Sequence, residues 1–205
     1  MRTNRIRALT MAAAVVAWNG LVDPRLPARW QPLLRAALGG ALVVIIQPGL
    51  GLRPPALRSG VRLGAAVAST VAAGVAATTA IPAVRAAMRQ RQLPTAPAHW
   101  VLLRIPVGTV WPEEAVFRGA LRHLAADAFG PAAGRMLQAS AFGLSHIADA
   151  RAAGAPVVGT VLVTGVAGWL FGWLAERSGS VAAPMLAHLA INEAGALAVL
   201  AAQRR

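Results

Sequence analysis

The chain contains no cysteine, no lysine and no tyrosine. Without cysteine there is no disulfide framework, no thiolate nucleophile and no thiolate metal site. Acidic residues are scarce as well: seven, against twenty basic residues that are all arginine, for a formal net charge of +13. Charged residues make up 13% of the 205 positions, where a soluble domain carries about 25%. That is too few to clothe a globule in hydrated side chains. No GxSxG surrounds any serine and no HExxH is present, so the α/β-hydrolase nucleophile elbow and the zincin helix are both excluded.

What is present is apolar. Hydrophobic residues account for 57% of the chain, and the mean hydropathy is +0.57. The arginines fall in small groups (Arg2, Arg5, Arg7; Arg25, Arg29, Arg35; Arg53, Arg58, Arg62; Arg85, Arg89, Arg91) separated by long apolar runs. Nucleic-acid binders collect their cations on one face; these lie where loops would meet anionic headgroups. The lipid bilayer is therefore the expected partner, and nucleic acid is not. The pattern predicts an all-α fold, a polytopic membrane helix bundle of about seven or eight transmembrane helices. The candidate spans are 8–22, 36–52, 63–84, 98–111, 113–129, 135–148, 157–175 and 180–202. No convincing small-residue cleavage site follows the first run near Trp18–Asn19–Gly20, so it reads as a retained helix and not a signal peptide. Orientation is a tie under the positive-inside rule: 2–7 and 53–62 hold three arginines each, and so do 25–35 and 85–91.

Ionisable residues inside apolar stretches are expensive and mark functional positions. Glu113 and Glu114 stand side by side in VGTVWPEEAVFRGAL. Pro112 fits the first position of a helix, which puts both glutamates in its first turn. Adjacent helical residues point about 100° apart, so the two carboxylates do not easily share a task. Glu114 can pair with Arg118 four residues on, leaving Glu113 without a local partner. The plainer reading is that both only cap a helix start. Phe142 and His146 are four apart, as are His188 and Asn192. A lone histidine in an apolar helix is usually packing; two of them, with a glutamate pair, each in its own segment, are harder to dismiss. His99 and His123 serve as controls, the latter four before Asp127. Asp149 is either a carboxylate that orients the His146 ring or an ordinary helix-end residue. A carboxylate and an imidazole can hold and deprotonate a water, and a second imidazole with an amide can donate to an oxyanion.

These motifs resemble a known family. Glu113-Glu114 with Arg118 resembles the EExxxR motif of the CAAX-processing and bacteriocin-processing (CPBP, or Abi) family of intramembrane proteases. Phe142 to His146 resembles its FxxxH, and His188 to Asn192 its HxxxN. Phe117, Gly119 and the Gly-Ser-x-x-Ala-Pro run at 179–184 agree too. The resemblance spans residues 95–200 and divides one integral membrane domain into generic helices over 1–92 and a catalytic core over 93–205.

The resemblance implies an intramembrane endopeptidase acting on membrane-associated peptides or proteins. It implies that Glu113 and His146 activate water, that His188 and Asn192 stabilise the oxyanion, and that Glu114, Arg118 and Phe142 support them. No cofactor is firmly implied; if a divalent metal such as zinc is used, Glu113, His146 and His188 are its ligand set. The alanine–arginine bias suggests a GC-rich bacterial genome, and so a multi-pass protein of a bacterial plasma membrane. The competing reading is a non-enzymatic membrane scaffold or bacteriocin self-immunity protein that keeps the motif for structure. A transporter would show internal repeats with matching broken helices, and none is visible.

Overall fold

The computed structural model describes residues 2–204, and among them every regular element is helical. Helix α1 (Arg2–Ala17) ends in a widened turn, and α2 (Gln31–Ile46) follows a short loop. Next come α3 (Ala56–Thr79) and α4 (Pro82–Arg89). A long helical path over 97–129 is α5; then come α6 (Pro131–Ser145), α7 (Ile147–Ala152), α8 (Val157–Ser178) and α9 (Ala182–Gln203). Four helices are long and apolar enough to cross a membrane: Arg2–Arg25, Ala56–Thr79, Val157–Ser178 and Ala182–Gln203. Many of their large apolar side chains face outward, Val158 at 72% and Val163 at 70% exposed among them, as expected of surface that meets lipid tails.

The expected seven or eight spans are not all of spanning length. The stretches 36–52 and 135–148 fall on the shorter α2 and α6, and 98–111 and 113–129 are one helix. Pro112 does not start a helix. Val110, Trp111 and Glu113 all have right-handed helical backbone, so the two glutamates lie in mid-helix. The physical reason is the hydrogen-bond pattern. Around Pro106 and again over Glu114–Leu121 the bonds widen to i→i+5, and such wide turns absorb prolines that lack an N–H.

Small residues set the helix spacing. A Cβ on Gly60 would stand 2.7 Å from that of Ser180, and one on Gly64 2.9 Å from the Ala183 Cα; α3 and α9 therefore run side by side and in the same direction. The far end of α9 is tied to the chain at the end of α4, where Gln203 Nε2 donates to the Arg91 carbonyl at 2.6 Å. Helix α2 approaches α5 through Gly39, where a Cβ would lie 3.1 Å from the Pro112 Cα, and through Gly108 against Pro32. Helix α6 lies against α8 in the opposite direction, with Gly168 beneath Phe142 and Gly143 under the Val161 carbonyl. Close backbone approach of this kind is how helices associate where no water drives them together. Its effect is to bring the middle of α5, the end of α6 and the first half of α9 around one point.

Candidate active site

The site is built from four of the positions singled out in the sequence and one buried cation. Arg118 and Glu114 are both fully buried, and Nη1 stands 3.2 Å from Oε1. None of the Arg118 nitrogens has a hydrogen-bond acceptor among the described residues. Its charge is met instead by aromatic faces: the guanidinium carbon lies 4.1 Å from the Phe142 ring centre, 4.9 Å from Phe171 and 5.9 Å from Phe117. Three of the chain's four phenylalanines thus enclose one arginine, a cage in which cation–π attraction is strong because water is excluded.

Glu114 has a second partner. His188 Nδ1 donates to its Oε1 at 2.8 Å, which fixes the tautomer and the ring orientation. The opposite nitrogen, Nε2, faces Glu113 Oε2 at 3.8 Å. The two neighbouring carboxylates, expected to serve separate tasks, meet the two nitrogens of one imidazole. A ring about one residue wide bridges the angle that separates adjacent helical side chains. His188 itself is buried, stacked on Phe171 with ring centres 5.2 Å apart and edge-on to Phe142. Each glutamate keeps one oxygen, Oε2, without a hydrogen-bond partner among the described residues, but only Glu113 also lines a cavity.

His146 ends α6. Its backbone N–H bonds to the Gly143 carbonyl, closing a tight last turn, and this leaves the Phe142 carbonyl free of its usual partner. His146 Nδ1 donates to that carbonyl at 2.7 Å, so Nε2 carries the lone pair. The spacing of four between Phe142 and His146 is the spacing this side-chain cap requires. Asp149 does not hold the ring; it lines the same cavity.

That cavity, about 200 Å³, is lined by Glu113, Ser145 and His146 on one side. Much of the remaining wall comes from Met11, Val15, Trp18, Asn19, Arg35 and Leu42, residues of the first two helices. Sequence reading treated that part of the chain as generic. The only signals there were a polar Asn19 after an apolar run and Arg35 inside QPLLRAALGG. Arg35 is itself held by Asp23, whose Oδ1 accepts from Nε at 2.7 Å.

His188 lies behind Glu113 and does not line the cavity; nor does Asn192, whose Nδ2 donates to the His188 carbonyl one turn back at 3.1 Å. His99 is exposed at the start of α5, and His123 stands 3.7 Å from Asp127 on the outer surface. Among the described residues no three His, Asp or Glu side chains are gathered as a metal ion needs. Glu113, His146 and His188 are distributed over the cavity and its back wall, so their fit to a shared ion is poor.

An apolar helical bundle with a buried acid–histidine centre beside a half-open cavity defines a class: a membrane protein equipped for acid–base chemistry inside its helices. The family comparison narrows it. Residues 95–194 match the model of the type II CAAX prenyl endopeptidase Rce1-like family. That stretch contains every motif residue named above, from Glu113 to Asn192. Neither curated proteins nor solved structures gave a match.

Proposed function

We propose that the protein is an intramembrane endopeptidase that hydrolyses peptide bonds of membrane-associated peptides or proteins, using water activated by Glu113 and His146. The observation that carries this reading is that Glu113 and His146 line one cavity, where His146 Nε2 keeps its lone pair because Nδ1 is engaged. A water between them donates one hydrogen to each, and its own lone pair is then aimed at a substrate carbonyl. Glu113 takes the proton as the carbon–oxygen bond forms and returns it to the leaving amine.

In this reading His188 acts from behind Glu113. Held by Glu114, it steadies the Glu113 carboxylate from the side away from the cavity, and an oxyanion role for His188 and Asn192 requires substrate to reach past Glu113 to side chains that do not line the cavity. Arg118 supplies the countercharge to Glu114 inside an apolar cage, so it positions the histidine without touching substrate.

The test is Glu113→Gln in detergent-solubilised protein, with cleavage of a membrane-peptide library followed by mass spectrometry. Cleavage falls by about 10²–10⁴-fold, the share usually owed to a general base, while the unfolding midpoint stays within the wild-type range. A variant that cleaves at the wild-type rate removes Glu113 from the mechanism.

A further inference from the structure

Arg35 is shared between the catalytic cavity and a second one, about 250 Å³, between the first turns of α2 and α5. Gln31, Arg35, Trp100, Arg104 and Thr109 contribute to its walls, and no acidic side chain lines it. The charge of Arg35 is already met by Asp23. Arg104 is different. It interrupts the apolar stretch 98–111, is half-buried, and has no acidic partner among the described residues. An arginine at such a position is costly without an anion or access to the headgroup layer.

The surroundings identify the anion. From Pro32 and Arg104 the cavity continues into a groove of about 390 Å³ lined by Arg29, Leu33, Leu103 and Val107. Leu33 is 51% exposed and Leu103 40%, so the groove, edged also by His99, presents an apolar track at the molecular surface. Trp30 is half exposed, with the Arg29 guanidinium 5.8 Å from its ring centre, and Trp100 lines the cavity. Tryptophans paired with arginines belong at the headgroup level. A cationic cleft that runs into an apolar track fits a ligand with a phosphate at one end and a hydrocarbon chain at the other.

We propose that this cleft binds an anionic phospholipid, with the phosphate beside Arg104 and Thr109 and one acyl chain along Leu33 and Leu103. Basic pockets between membrane helices are known to take such headgroups. The site lies against the catalytic cavity through Arg35, so the bound lipid becomes part of the substrate's approach. It does not rest on the proteolytic reading: Glu113→Gln protein retains the lipid equally well, whatever its activity.

The experiment is native mass spectrometry of the full chain in detergent with equal amounts of phosphatidylglycerol and phosphatidylcholine. Wild-type protein retains the anionic lipid preferentially. Arg104→Gln lowers that preference by about fivefold, the effect of one arginine near an anionic surface; Arg104→Lys keeps most of it, and Arg58→Gln on α3 leaves it unchanged. Should Arg104→Gln fold poorly, Thr109→Asp places a carboxylate in the cleft and gives the same loss. Equal retention by wild type and Arg104→Gln overturns the proposal. So does displacement of the lipid by millimolar inorganic phosphate alone, which would make this a free-anion site.

Discussion

Consider replacing Arg118 by methionine. The side chain is fully buried, its nitrogens form no hydrogen bonds within the described residues, and methionine fills comparable space among Phe117, Phe142 and Phe171. What disappears is the countercharge 3.2 Å from Glu114 Oε1. Leaving one buried partner unpaired costs about 3–5 kcal/mol. Removing the carboxylate as well, in Glu114→Gln with Arg118→Met, discharges the pair. Exchanging a buried ion pair for uncharged groups is often close to neutral. The double variant therefore regains most of the loss, and the coupling energy is at least about 3 kcal/mol, the top of the range for contacting residues.

Activity does not follow stability. Glutamine can turn its amide toward His188 Nδ1 and impose the wrong tautomer, a change that costs on the order of 10⁴-fold in serine proteases. Unfolding monitored by tryptophan fluorescence in detergent supplies the stability arm of the cycle, and peptide cleavage the activity arm. If the single losses add to within about 0.5 kcal/mol, the guanidinium and carboxylate are not coupled and the aromatic cage alone holds Arg118. If the double variant cleaves like wild type, Glu114 does not orient the histidine.

Three further outcomes test the same geometry. Gly168→Val forces a side chain toward Phe142, whose Cδ1 would lie 2.9 Å from the first added carbon; stability falls by about 1–3 kcal/mol, and kcat falls as the Phe142 carbonyl shifts from His146. Asn19→Leu alters the cavity wall without touching Glu113, so KM and peptide preference change while the unfolding midpoint holds; a loss in kcat alone would place Asn19 in the chemistry. His123→Ala, on the exposed pair with Asp127, changes stability by less than about 0.5 kcal/mol, and a larger loss would mean that this pair braces α5.

The chemistry-bearing residues were legible because carboxylates are rare here: two of seven stand adjacent in an apolar segment. The Glu114–Arg118 pair was legible too, since a spacing of four places both on one helical face. Their convergence on His188 was not. That contact joins residues 74 positions apart and depends on how α9 packs, which no local pattern encodes. Pro112 misled for a related reason. A proline in sequence looks like a helix start, and only the wide turns around it, a property of the packed helix, let the path continue. The part played by α1 and α2 was invisible because cavity walls are apolar, and Met11, Val15 and Leu42 look the same whether they face lipid or substrate.

That division of the cavity has a consequence for how such a protein can change. The groups proposed to react sit on α5 and α6, and on α5 and α9 a buried relay of Arg118, Glu114, His188 and Glu113 holds each member by the next, so they tolerate little alteration. The opposing wall is borrowed from two helices whose only charge near the relay is Arg35, itself held by Asp23. It can be recast one side chain at a time, as a mould is recut around a fixed die, and new peptides admitted without retuning the hydrolytic centre. A chimera that exchanges α1 and α2 between relatives would carry peptide preference with it and leave the reaction behind.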